Sequence, residues 1–294
     1  MNSSKTKVNN EGWLITNAFM RTSKFTELQE MLENAAKKAG IRLKSFTNAE
    51  VLAGVELISK PDFVLFWDKD VLLASYLESF GIPVFNSAKS IALCDDKGKT
   101  YLALKDSGLP LPKTILAPFT YDIIGYTELS FLDRVIGELG LPLVVKENYG
   151  SFGMQVYLVK TKEELVNKLK EISPKPCLFQ EFLSTRAGND VRLQVVGNKV
   201  VCAMERYSDT DFRANVTIGG KMRNYTPTAE EKKMAVKAVK KLGLSFGGVD
   251  IIYGEDGPVI CEVNSNAHFK NILDCTGVNA ADEILKYIAT KVSK

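Results

Sequence analysis

The chain has 294 residues, 45% hydrophobic and 25% charged, the balance of a soluble globular protein long enough for two or three packed units. A net charge of +3 leaves no nucleic-acid footprint, no apolar run reaches the length of a membrane span, and the polar residues 1–11 lack the apolar stretch of a signal peptide. Five scattered cysteines with no Cys-x-x-Cys spacing argue against a disulfide framework or zinc site and for a reducing, cytoplasmic setting. Residues 1–90 read as an α/β unit. Strands are expected at 13–16, 41–46, 63–67 and 82–85. A helix capped by Thr26 and Gln29 carries Leu28, Met31, Leu32, Ala35 and Ala39 on its apolar face and ends at Gly40. A second helix covers 70–80. This alternation implies a parallel sheet, and without a glycine fingerprint after the first strand dinucleotide binding is not expected.

The segment 91–176 opens with a helix over 90–105 whose pattern ends at Gly108. The prolines of 109–112 break it. Gly98, Lys99 and Thr100 invite a Walker A reading, but position 93 is leucine and the motif sits on a helix, so it is rejected. Strands follow at 143–146 and 155–159, then a helix to 172 capped by Thr161 and Glu164. The segment 177–294 is strand-rich. Strands at 177–182, 191–196 and 200–207 precede a helix capped by Thr228 and Glu231, then a hairpin, then a closing helix from Ala280.

That hairpin, residues 248–264, carries the most chemistry. A three-residue loop, 255–257, sets Gly254 opposite Pro258, Ile252 opposite Ile260 and Asp250 opposite Glu262. Asn264 then lies on the same face as Glu262. Facing carboxylates weaken a sheet unless something positive lies between them, and Mg²⁺ takes carboxylate and amide oxygens together with phosphates. A two-residue loop, 256–257, would instead put the acids on opposite faces. Solvated carboxylates are the bland alternative. The flanking Val249, Ile251, Val259, Ile260 and Val263 mark buried strands and favour a metal.

Lys146 ends an apolar strand and either snorkels to water or meets an anion. After it, Gly150, Ser151 and Gly153 form a turn whose amides suit a phosphate. Gln180, Glu181 and Phe182 end a strand able to present backbone to an adenine edge, or form an ordinary edge strand. Asp190, Arg192, Arg213 and Asn215 add polar groups at strand ends and loops, with Arg213 suited to bidentate phosphate contact or to a surface ion pair. His268, the single histidine, reads as a substrate contact or a plain loop residue.

In this order, Lys97, Lys146 with its glycine loop, Gln-Glu-Phe at 180–182, Asp-Val-Arg at 190–192, Asp-Phe-Arg-Ala-Asn at 211–215, Gly-Val-Asp at 248–250 and Glu-Val-Asn at 262–264 resemble the ATP-grasp superfamily. More narrowly, they resemble the RimK-type alpha-L-glutamate ligases and the ligases that charge an amino-group carrier protein. The resemblance covers about 88–290. It implies an α/β fold with an N-terminal parallel-sheet domain (1–90) and two α+β ATP-grasp lobes (91–176 and 177–294), with ATP between the lobes. It also implies ATP-dependent carboxylate–amine ligation through an acyl phosphate. Lys97 and Lys146 would hold phosphates, with Lys146 and Arg213 catalytic. Gly150, Ser151 and Gly153 would cover the nucleotide, residues 180–182 would meet adenine, and Asp190 the ribose. Arg213 and Asn215 would lie at the phosphate and metal site. Asp250, Glu262 and Asn264 would ligate Mg²⁺ or Mn²⁺. The implied partners are a small-molecule amino acid and an amine or carboxylate acceptor, such as a peptide or protein terminus. A homo-oligomer stays open, and neither nucleic acid nor membrane is expected. The chain departs from the family at Ile218, at Ala267 and His268, and at Gln155, which bear on the loop and the acceptor side. A silent ATP-binding module, a D-alanine–D-alanine type of ligase and a carboxylase are the alternatives. The loop 148–153 is expected to act as a lid. The N-terminal unit and residues 267–271 should shape the substrate sites, with Lys270 a substrate contact or a solvated charge and Phe269 a contact or a packing residue.

Overall fold

The computed structural model describes residues 11–57 and 59–292, so the polar stretch read at the N-terminus lies outside it up to residue 10. The N-terminal unit runs β1 (Glu11–Thr16), α1 (Ser23–Lys38), β2 (Arg42–Thr47), β3 (Phe63–Trp67), α2 (Val71–Ser79) and β4 (Val84–Phe85). Its four strands are all parallel, in the order β2-β1-β3-β4. Every residue of β3 is buried, as a strand covered on both faces requires. One expected cap fails. Helix α1 starts at Ser23 behind Thr22, and Thr26 lies inside it with its hydroxyl turned to the Thr22 carbonyl.

The helix read over 90–105 is two helices, α3 (Ala88–Asp95) and α4 (Lys97–Leu104). Asp96 breaks them apart. Its backbone is extended, and its carboxylate accepts from Lys99 N–H and from the Asn148 amide. Next come β5 (Thr114–Leu116), α5 (Phe131–Leu139), β6 (Leu143–Glu147), β7 (Val156–Val159), α6 (Lys162–Ile172) and β8 (Cys177–Glu181). Their antiparallel sheet has the order β5-β8-β6-β7, so a strand that a boundary at 176 assigns to the last segment pairs within the central one.

The last sheet is formed by β9 (Asn189–Val196), β10 (Lys199–Tyr207), β11 (Lys221–Asn224), β12 (Phe246–Gly254) and β13 (Gly257–Asn264), in the order β11-β10-β9-β12-β13. Helix α7 (Ala229–Lys241) covers one face and carries the full Thr228–Glu231 capping box. Helices α8 (Lys270–Thr276) and α9 (Ala280–Val292) pack in one apolar cluster with α1 and with residues of β1 and β3. Asn86 links the two sheets: its amide donates to the carbonyls of Phe246 and Ser265 and accepts from Ser245 N–H. The N-terminal sheet is thereby held against the β12–β13 hairpin.

The hairpin reaches its expected pairing by an unexpected route. Gly254 pairs with Gly257 around a two-residue turn, Glu255 and Asp256, and Ile252 pairs with Val259. A straight ladder from that turn would set Asp250 opposite Cys261. A bulge at Cys261 inserts one residue, and Asp250 pairs with Glu262. The expected three-residue loop is therefore incorrect. Gly257, with φ +120°, allows the tighter turn, and the bulge restores the register.

Candidate functional site

Lys97, Lys146, Gly150, Ser151, Gly153, Gln180, Glu181, Phe182, Asp190, Arg213, Asn215, Asp250, Glu262 and Asn264 all line one cavity of about 660 Å³. The cavity lies where the three sheets meet, and Trp67 with Asn17, Asp68 and Lys69, which follow β1 and β3 of the N-terminal sheet, closes one side of it.

Two lysines bring positive charge to it. Lys146 is 9% exposed at the end of β6, and the thiol of Cys261 is the hydrogen-bond partner of its ammonium, at 3.6 Å. Among the described residues it makes no ion pair, so a buried cation faces the cavity without an anion. Lys97 opens α4, a position created by the break at Asp96. Its ammonium lies 3.3 Å from the Gly150 carbonyl and 3.7 Å from Glu262.

The loop after β6 is tethered by single side-chain contacts from neighbouring elements. Arg213 Nη1 donates to the Gly153 carbonyl at 2.8 Å, and Lys69 reaches Ser151 Oγ at 3.3 Å. Gln155 stands where the family's third glycine is expected, and its side chain accepts from Ser151 N–H at 3.2 Å. Gly153 has φ +76°, and a Cβ there would lie 2.5 Å from Asn215 Oδ1, so glycine is required.

Gln180 and Glu181 use their side chains to tie β8 to the start of β5, through Thr114 Oγ1 and Lys113 N–H. Phe182 meets Phe212 edge-on across the cavity wall. Arg213 is paired with Asp211 at 2.7 Å, which leaves it at the cavity edge with its charge shared.

The acids sit in a cross-strand network that the sequence did not foretell. Arg192 of β9 pairs in register with Asp250 of β12, and its guanidinium grips both carboxylate oxygens at 2.6 Å. Arg206 of β10 grips both oxygens of Asp190, at 2.6 and 2.8 Å, and reaches Asp250 at 3.0 Å. Burial alone would raise the Asp250 carboxyl, but the two guanidiniums outweigh it and hold it at about 2. Asp190 shares its one arginine with Asp250, and burial pushes its carboxyl up. The positive charge demanded between the facing acids is thus supplied by arginines for Asp250 and by Lys97 for Glu262. Facing charge by itself does not require a metal. Arg192 is legible only as part of the Asp-Val-Arg motif, and nothing in its spacing names Asp250 as its partner.

A divalent cation nevertheless fits. The Glu262 side chain is 32% exposed to the cavity. Asp250 accepts three hydrogen bonds of about four that a carboxylate can take. The Asn264 amide nitrogen is buried with no hydrogen-bond partner, so nothing in the protein fixes which end of that amide faces the cavity. Among the described residues no three His, Cys, Asp or Glu side chains form a metal cage. Two carboxylates and an amide suit Mg²⁺, which draws its remaining ligands from water and phosphates.

Elsewhere expectations divide. His268 lines the cavity, half-buried, with Nε2 3.2 Å from the Lys24 carbonyl and its ring edge-on to Phe25. Burial pushes its pKa down. Phe269 is fully buried against Trp67, and Lys270 pairs with Asp274 and Glu27 rather than lining the cavity. Phe269 is thus part of the core, and Lys270 is an ion-paired residue at the start of α8 outside the cavity lining. Among the described residues no helix is long and apolar enough to cross a membrane, and all five cysteines are free thiols.

Residues 94–288 match the RimK-like ATP-grasp domain. An uncharacterized protein of Mycoplasma genitalium is 31% identical over 276 residues, which span 91% of this chain and 95% of that protein. A protein of Legionella pneumophila named probable alpha-L-glutamate ligase is 34% identical over 220 residues, spanning 74% of this chain and 70% of its own. The crystal structure of a RimK domain ATP-grasp protein from Sphaerobacter thermophilus superposes with a TM-score of 0.73 at 22% identity, over 94% of this chain and 98% of that one.

Proposed function

Because the chain belongs to the RimK-like ATP-grasp family of ADP-forming carbon–nitrogen ligases, we propose that it joins an amino acid such as glutamate to a peptide, protein or small-molecule acceptor. The observation that carries this reading is the convergence, on one cavity, of every residue read from the sequence as a nucleotide or metal contact. The name of the Legionella relative supports glutamate.

ATP would lie with its base toward the end of β8 and its phosphates toward Lys97, Lys146 and the loop over Gly150, Ser151 and Gly153. Lys146 supplies a buried, unpaired positive charge, and the loop amides supply directional donors. Asp250, Glu262 and Asn264 would hold Mg²⁺, which when bound neutralises charge on the phosphates. A substrate carboxylate oxygen bonds to the γ-phosphorus, and the bond to ADP breaks. The amine nitrogen then bonds to the acyl carbon, the carbon–oxygen bond to phosphate breaks, and the ammonium proton leaves. No enzyme nucleophile is needed. The chain's work is placement and charge. Arg192 and Arg206 hold Asp250 ionised and oriented at the hairpin, where it would serve as one of the Mg²⁺ ligands.

The test is ATP- and Mg²⁺-dependent phosphate release over a panel of amino acids, singly and paired with glutamate or small peptides. Release that depends on one carboxylate and one amine, with an amide product by mass spectrometry, is expected. A panel with no release above the amine-free rate contradicts the reading.

A further inference from the structure

The side of the cavity next to the N-terminal sheet has polar groups that are not among the residues assigned to nucleotide or metal. Strands β1 and β3 are adjacent and parallel, with Thr16 paired to Trp67. The next residue of each, Asn17 and Asp68, therefore stand side by side at the carboxyl ends of the strands, the edge at which open parallel sheets bind ligands. Both line the cavity.

Asp68 is 8% exposed. Its Oδ1 accepts from Lys69 N–H at 2.7 Å, and both oxygens lie 3.2 Å from the Asn17 amide nitrogen. Lys69 turns its ammonium elsewhere, to Asp95 and Ser151. Among the described residues, the buried acids Asp96, Glu147, Glu205 and Asp250 each have an ion pair, and Glu231 is held by two tyrosine hydroxyls and a helix cap. Asp68 has neither, and it faces the cavity. A buried carboxylate without a cation is costly unless a ligand supplies one. Burial accordingly pushes its carboxyl up, against the hydrogen bonds from Lys69 N–H and Asn17.

A second acceptor lies beside it. Asn266 donates its amide nitrogen to the Asp68 carbonyl at 2.6 Å, while its Oδ1 is buried with no hydrogen-bond partner. Asn266 also lines the cavity. Here, then, are a carboxylate with room for about one more hydrogen bond and an orphaned amide oxygen, with no cation bonded to either. A primary ammonium, with three donors and one positive charge, matches them.

We propose that Asp68, with the Asn266 side-chain oxygen, anchors the ammonium group of a free amino-acid substrate and so selects amino acids over their N-acylated forms. The word substrate rests on the ligase reading, whereas the anchor itself is a binding site that stands without turnover. Asn17 positions the Asp68 carboxylate from the neighbouring strand.

The experiment measures binding and turnover separately on the full chain. Free amino acids are titrated one at a time by calorimetry in the presence of a non-hydrolysable ATP analogue and Mg²⁺. Each one that binds is repeated as its N-acetyl form, and again with Asp68→Asn, which keeps the shape and removes a buried charge. Binding by at least one free amino acid is expected, weakened roughly 10- to 100-fold by N-acetylation or by Asp68→Asn, with affinity for the ATP analogue unchanged. The wild-type comparison with the N-acetyl form needs no variant to fold. Equal affinity for free and N-acetyl forms, unchanged affinity in Asp68→Asn, or no amino acid bound overturns the anchor. Binding of free amino acids here, combined with no amine-dependent phosphate release in the hydrolysable-ATP panel of paired substrates, overturns the ligase reading and leaves the anchor standing.

Discussion

Replacing Arg206 with methionine removes the cation shared by two buried acids. The Arg206 side chain is 5% exposed and makes three charge-assisted hydrogen bonds, at 2.6 and 2.8 Å to Asp190 and 3.0 Å to Asp250. Asp250 keeps Arg192, but Asp190 is left with no cation bonded to it. Breaking a buried pair from one side costs about 3–5 kcal/mol, on the order of 10 °C in Tm for a chain of this size. The pH dependence follows from Asp190, whose folded-state pKa is already raised by burial and rises further without Arg206. A carboxyl raised above its unfolded value is penalised while ionised. The penalty shrinks as pH falls through the folded value, where the native state takes up the proton first. The stability gap between wild type and Arg206→Met is therefore wider at pH 8 than at pH 5, and adding Asp190→Asn to the variant narrows it. Urea unfolding followed by tryptophan fluorescence at the two pH values measures this. A gap under about 1 kcal/mol, or one independent of both pH and Asp190→Asn, refutes the reasoning.

Protease nicking within residues 148–153 should slow when ATP and Mg²⁺ are added, because Lys69, Lys97 and Arg213 tether the loop only through single contacts and phosphates would add more. Equal cleavage with and without nucleotide removes the lid role. Lys270→Glu should leave the KM for both ATP and the amino acid at wild-type values, since its ammonium meets Asp274 and Glu27 outside the cavity. A raised amino-acid KM would return Lys270 to the substrate site.

Much of the molecule is legible where one residue type answers one local demand. The Thr228–Glu231 box, the glycine ending α1 and the apolar run of β3 give those elements without tertiary information. Thr26 and Gln29 have capping-box spacing yet lie inside α1, because Thr22 opens the helix without any side-chain cap. Asp96 sits in a helical pattern, and only the tertiary bond from Asn148 shows that it ends one helix and caps the next. Residues 113–142 hold only the three-residue strand β5 and the nine-residue α5, both too short for a periodicity argument. Strand β11, Lys-Met-Arg-Asn, is a polar edge strand with no alternation to read. At the site, the residue types at strand ends were enough to collect the cavity lining. The partners of Asp250 were not legible, since Arg192 and Arg206 reach it across β9 and β10 from 58 and 44 positions away.

The most direct test of the account is phosphate release as a function of Mg²⁺ at saturating ATP in wild type, Asp250→Asn and Glu262→Gln, with circular dichroism as the check on folding. Wild-type turnover should vanish without divalent metal, and both folded variants should be slowed by roughly 100-fold or more at limiting Mg²⁺, because each would lose a carboxylate charge proposed to hold the metal. Near-wild-type turnover of both variants at limiting Mg²⁺ contradicts that role.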